Sequence, residues 1–202
     1  LRDGSVLYGR IVDTGPPVVV RLGDGQLFRV EPSTVRSVET LEGRIVDGEV
    51  WEEDSNPSRL FFAPTARTTP AGTGYFAVYE LVIPFLSFSL TDRFMIAGGT
   101  PLLGDLGSGR PFYIAPKLQL VRRDRFQFAA GAWIIGTGDA DLDLISLLMG
   151  IATVGSTDHA VTVGLGYGFE GTRAADAVAL IGGFETRLAR RIKLVSENWY
   201  LP

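Results

Sequence analysis

Cysteine is absent from the 202-residue chain, which excludes disulfides, thiolate metal sites and a cysteine nucleophile. Histidine occurs once, at His159, so no histidine cluster can hold a metal. No apolar run reaches the roughly 18 residues that a membrane helix requires; the longest candidate, Leu142 to Val154, is interrupted by Asp143, Ser146 and Gly150. Excess charge is also scarce: a net charge of −4 gives no reason to expect a nucleic-acid partner. The chain begins at Leu1 rather than methionine and reads as a mature or trimmed form, which leaves room for a removed targeting segment.

Glycine is abundant. Its 25 residues are about twice the usual share, without a collagen period, and point to tight turns and closely packed strands. The acidic, polar stretch DGEVWEEDSNPS (47–58) reads as a linker. It separates a small β-domain (1–46) from a longer region (59–202). Short strands are expected at Ser5–Val12, Pro17–Leu22, Gln26–Glu31 and Val35–Glu39, with Gly23-Asp24-Gly25 turning a hairpin between the second and third.

Beyond the linker, segments of about ten residues rich in aromatic and β-branched types recur near 59–66, 74–90, 92–102, 110–122, 125–136, 143–155, 160–169, 176–186 and 191–200. Membrane strands need roughly 9–11 residues, whereas strands of soluble sheets average about 5–6. Alternation orients two of them. Val161, Val163, Leu165, Tyr167 and Phe169 share one face against Ala160, Thr162, Gly164, Gly166 and Gly168. Phe112, Ile114, Pro116, Leu118 and Leu120 share one face against Tyr113, Ala115, Lys117 and Gln119. Lys117 has no place in lipid, so its face is expected to line a lumen together with Gln119, Glu185 and Glu197. The two glutamates are expected to pair with Lys117. Segment 143–155 is apolar on both faces and alternates poorly.

Connections read as alternately long (67–73, 102–110, 136–142, 170–175) and short (Thr91-Asp92, Arg123-Asp124, Ser156–His159, Ala189-Arg190). Short periplasmic turns opposite longer extracellular loops is the outer-membrane pattern, and it sets the N-terminal domain on the periplasmic side. Aromatics near segment ends, Phe61, Phe62, Tyr75, Phe94, Phe112, Phe126, Trp199 and Tyr200, are expected at the membrane interfaces.

The pattern LRDGSVLYGRIV…VVVRLGDGQLFRV…VRSVE, over about the first 40 residues, resembles the LSm-type small barrels. The resemblance implies an SH3-like β-domain; no aromatic-plus-basic RNA surface accompanies it. NPSRLFFAPTAR (56–67), LTDRFMIAGG (90–99), FYIAPK (112–117), IGGFETRLARR (181–191) and LVSENW (194–199) resemble a group of uncharacterised bacterial outer-membrane barrel proteins. That resemblance implies location and fold and no activity. Two departures stand out: the chain ends Tyr200-Leu201-Pro202 instead of on a terminal aromatic, and nine strands is odd where bacterial single-chain barrels have an even number. Either further strands follow, or the count is off by one.

Chemistry-bearing motifs are few. Ser156-Thr157-Asp158-His159 contains triad residue types, but successive residues in one turn cannot form a nucleophile–base–orienter chain. Asp139, Asp141 and Asp143 alternate as weak calcium ligands do, yet Leu144 and Gly150 stand where an EF-hand loop needs glycine and glutamate. GLGYG (164–168) and GDLGSG (104–109) lack the helix of a phosphate loop. Glu80, Glu185 and Glu197 read as lumen carboxylates paired with cations such as Lys117 or Arg187 rather than as an acid–base pair.

The sequence therefore predicts an all-β chain: an antiparallel up-and-down transmembrane barrel of about 8–10 strands after a small SH3-like domain. It predicts no catalysis and no cofactor. The expected role is structural, anchoring or assembly in the outer membrane, in contact with its lipid, with a second copy or a periplasmic protein as candidate partner. The alternatives are a soluble barrel holding a lipophilic ligand, a small-solute channel and an outer-membrane lipid-modifying enzyme.

Overall fold

The computed structural model describes residues 1–40, 43–46, 49–79, 83–102, 111–137 and 144–201. Its backbone is β throughout, with one 3-10 turn at Pro32–Thr34 and no α-helix among the described residues. The chain forms two compact units: Leu1–Ser55 with Leu188–Ile192, and Asn56–Arg187 with Lys193–Pro202.

In the first unit, β1 (Arg10–Asp13), β2 (Val18–Arg21) and β3 (Leu27–Val30) form an antiparallel three-stranded meander. The β2–β3 hairpin turns where the sequence places it: Gly25 adopts φ +87°, and the Asp24 carboxylate accepts from the Gln26 N–H at 2.9 Å. β4 (Gly43–Val46) and β5 (Glu49–Glu52) form a separate hairpin, with the Arg44 guanidinium 5.5 Å above the Trp51 ring. Two readings change here. Val35–Glu39 joins no ladder among the described residues, and Glu49–Glu52, inside the stretch read as a linker, is a strand.

The second unit holds nine antiparallel strands, each paired with its sequence neighbours: β6 (Gly74–Tyr79), β7 (Ile83–Ser89), β8 (Phe94–Gly99), β9 (Pro111–Arg123), β10 (Phe126–Thr137), β11 (Ile145–Gly155), β12 (His159–Glu170), β13 (Arg173–Ala189) and β14 (Ile192–Tyr200). The count of nine matches the sequence reading by two compensating differences. Segment 59–66 is no strand of this sheet, and segment 74–90 divides into β6 and β7. Pro57, Pro64 and Pro70 explain the first, because proline cannot donate to a central ladder. Connection lengths also differ from expectation. The link read as a longer loop at 170–175 is a turn at Gly171-Thr172, with Gly171 at φ +56°, and 67–73 leads into β6 instead of joining two strands.

The sheet curls, and its two faces differ sharply. On β12, Val161, Val163 and Leu165 are 54%, 55% and 61% exposed, while Ala160 and Thr162 are buried. On β9, Ile114, Leu118 and Leu120 are exposed and Lys117 and Gln119 buried. The convex face continues through Phe76, Leu86, Phe88, Val154, Val178, Leu180, Phe184 and Leu194. Among described strand residues, charged side chains either point to the concave side or stand near strand ends, as Arg122, Arg123, Glu170 and Arg173 do.

Candidate functional site

The concave face is occupied by the chain's own residues 56–73, a proline-punctuated strap that enters the curl before β6 begins. Ser58, Leu60, Ala63, Thr65, Ala66, Arg67, Thr68 and Thr69 are all buried. Its contacts reach around the sheet. The Ala66 N–H donates to Thr153 Oγ1 on β11 at 2.9 Å. Lys117 on β9 donates to the Ser58 and Thr65 carbonyls at 2.7 and 2.9 Å. The Phe61, Phe62 and Ala63 N–H groups converge on Glu197 Oε2 of β14 at 2.8, 3.0 and 3.0 Å. Tyr79 of β6 donates to the Phe61 carbonyl. One strap thus holds both edge strands, β6 and β14.

A small apolar core seats it. Leu60, Ala63 and Ala66 pack with Ala129, Met149, Ile151 and Ile181. This explains why 143–155 alternates poorly in sequence: Met149 and Ile151 face inward, but they meet the strap instead of water. Gly183 of β13 makes room for it, since a Cβ there would lie 2.3 Å from Leu60 Cδ1 and 2.4 Å from the Ser196 carbonyl oxygen.

Charge inside the curl is arranged differently from the expected pairing. Lys117, Gln119 and Glu185 do point inward and are buried, and Glu197 is half-buried on the same side. However, neither glutamate pairs with Lys117. Glu185 takes Arg67 of the strap at 2.5 Å and Lys193 of β14 on its other oxygen. Glu197 is satisfied by strap amides and by Trp199 Nε1 at 2.6 Å. Arg187 meets Asp158 at 3.3 Å. Gln119 accepts from the Thr68 hydroxyl at 3.0 Å. Arg67 was the missed residue, because it opens the stretch 67–73 that reads as a connecting loop. Its guanidinium also donates to Gln127 Oε1 at 3.3 Å and to the Ser156 carbonyl at 2.7 Å. Thr68 and Ala71 bond to Asp92 at 2.6 and 2.9 Å. These partners sit at the tight-turn ends of the strands, so the strap fills that end of the curl.

The other end is hollow. A cavity of about 270 Å³ lies among Arg59, Tyr75, Tyr79, Phe85, Lys117 and Met149. A larger one of about 790 Å³ is lined by Leu147, Asp176, Ala179, Glu197 and Trp199; Phe62 and Trp133 border both. Above the smaller cavity the Arg59 guanidinium stands 3.9 Å from the Phe85 centroid and 4.8 Å from those of Tyr75 and Tyr79.

The eight aromatics expected at interfaces divide. Phe94 opens β8, Phe126 opens β10 and Tyr200 closes β14; Phe126 and Tyr200 are exposed. Phe112 shares parity with outward Ile114. The other four are placed differently. Phe61 and Phe62 belong to the strap, and Phe62 lies 4.0 Å from the Tyr79 ring. Tyr75 points inward to Ser58 Oγ at 2.8 Å, and Trp199 points inward against Trp133 at 5.2 Å. Tyr75 and Trp199 turn inward at their strand ends because a hollow curl takes large inward residues as well.

The 156–159 turn is held together by separate contacts. His159 Nδ1 lies 2.6 Å from Thr186 Oγ1, Asp158 faces Arg187, and Ser156 Oγ accepts from the Asp158 and His159 N–H groups. Gly164 and Gly166 are buried inward positions of β12. Glu80, the Asp139/Asp141/Asp143 set and the 104–109 glycine segment fall outside the described residues. Searches of family models, curated proteins and solved structures found no match to this chain.

Proposed function

We propose that residues 56–202 form a β-barrel embedded in the bacterial outer membrane, closed at its tight-turn end by the internal strap. Its role is to anchor the N-terminal β-unit, as a structural or assembly component with an SH3-like domain on the periplasmic side. The observation that carries this reading is the inverted distribution of polarity. The convex face is a belt of Phe, Leu, Ile and Val, while the concave face buries Lys117, Gln119, Gln127, Arg67 and Glu185. A water-soluble sheet curled around a core would do the opposite, and an exposed apolar belt of this extent needs an apolar solvent. The strap filling one end argues for an anchor rather than an open channel. The pattern similarity to uncharacterised outer-membrane barrels points the same way.

Cell fractionation tests it. The protein should require detergent for release from the outer-membrane fraction, and unboiled samples should migrate differently from boiled ones on a gel. Recovery in the soluble fraction with no heat-dependent shift would refute the membrane assignment.

A further inference from the structure

Cations on the concave face differ in how they are compensated. Arg67 and Lys193 share Glu185, and Arg187 has Asp158. Arg59 and Lys117 have no carboxylate partner among the described residues. Lys117, 5% exposed, directs two of its three N–H groups to carbonyls of the strap. Arg59 is caged by three aromatic faces and donates to the Tyr79 hydroxyl, leaving its buried Nε–H without a partner among the described residues. Both line the cavity of about 270 Å³, whose remaining described wall is chiefly aromatic and aliphatic, with no acidic residue among the described lining residues. Buried charge is costly unless paired. Here two positive groups border one apolar space with no carboxylate among its described lining residues.

We infer that this cavity binds an amphipathic anion, with its carboxylate or phosphate at Arg59 and Lys117 and its apolar body against Met95, Trp133 and Met149. Guanidinium suits either headgroup through charge-assisted hydrogen bonds. The volume stands just below the roughly 300–1,000 Å³ of drug-sized ligand pockets, so a single medium-length chain fits. Because the strap carries Ser58 and Arg59, a bound anion would also fasten the strap to β6 and β9.

The test uses the full chain in a zwitterionic detergent. Decanoate and decyl phosphate are titrated against decanol, read by quenching of tryptophan fluorescence with brominated analogues of the same length; Trp133 borders the site. Saturable binding of the two anions at least tenfold tighter than decanol is expected. Arg59→Gln should weaken anion binding at least tenfold while leaving decanol unchanged. Ala115→Phe keeps both cations but fills the cavity, and it should abolish binding of all three; a preserved heat shift on gels confirms its fold. Preference between decanoate and decyl phosphate identifies the headgroup. Equal affinity for anion and alcohol, no saturation, or anion binding undiminished in Ala115→Phe would overturn the inference. The wild-type comparison alone decides if Arg59→Gln does not fold.

Discussion

Glu185 is fully enclosed yet charged partners meet both of its carboxylate oxygens, one from the strap and one from β14. Removing it leaves the buried Arg67 without its carboxylate and takes one ion pair from Lys193. Breaking such a pair from one side costs about 3–5 kcal/mol, so Glu185→Ala should lower stability by about that amount in urea-induced unfolding from detergent micelles. Replacing Arg67 and Glu185 together with Met and Leu should recover part of the loss, because the buried guanidinium goes with the carboxylate and only the part-exposed Lys193 still loses its ion pair to Glu185. Glu197 works through geometry as well as charge, gathering three successive amide donors. Glu197→Gln keeps the shape and loses the charge-assisted part. Hydrogen bonds to charged groups contribute about 1.5–3 kcal/mol each against about 1 for neutral ones, so a loss of about 1–3 kcal/mol is expected, together with faster amide exchange at 61–63.

The strap and the strands answer to different rules. A strand's faces are set by its period of two, and a charge placed on a lipid-facing position near the bilayer midplane costs about 2–4 kcal/mol. Val163→Arg, midway along β12 on the convex face, should therefore destabilise the folded protein by about that amount in lipid vesicles. An unchanged stability would mean that Val163 does not face lipid. The strap is held by a tight fit. At Gly183 a larger side chain would strike both Leu60 and the β14 backbone, and the backbone cannot move aside. Gly183→Val should displace the strap, seen as new protease cleavage within 56–73 while the heat shift on gels is retained. Cleavage confined to the wild-type sites would show that the strap tolerates the clash.

At the scale of the second unit, the strap's position gives the curled sheet a filled end and a hollow end. With eight buried strap residues filling the curl, the proposed membrane barrel should show no steady conductance in planar bilayers. Arg67→Ala, which releases the contacts to Glu185, Gln127 and the Ser156 carbonyl, should produce intermittent openings. Steady wild-type currents would instead favour a channel. The anchoring role predicts that residues 1–55 can be removed without loss of the heat-dependent shift, since the strap and all of the nine-stranded sheet except the β13–β14 turn at Leu188–Ile192 lie in the second unit.

Much of the sheet was legible in the residues alone. The outward set Val161, Val163, Leu165 and the inward set Lys117, Gln119, Glu185 follow from alternation, a local property of extended backbone that needs no knowledge of the fold. The Gly25 turn is equally local, since it rests on one residue's freedom at positive φ. The strap was misread because its aromatics outweighed its prolines, although Pro57, Pro64 and Pro70 carried the contrary signal. Which cation meets Glu185, why Tyr75 and Trp199 turn inward and where the cavity lies were decided only by tertiary structure. Those facts depend on how tightly the sheet curls and on what enters the curl, and both are set by contacts between residues more than a hundred positions apart, as Arg67 and Glu185 are.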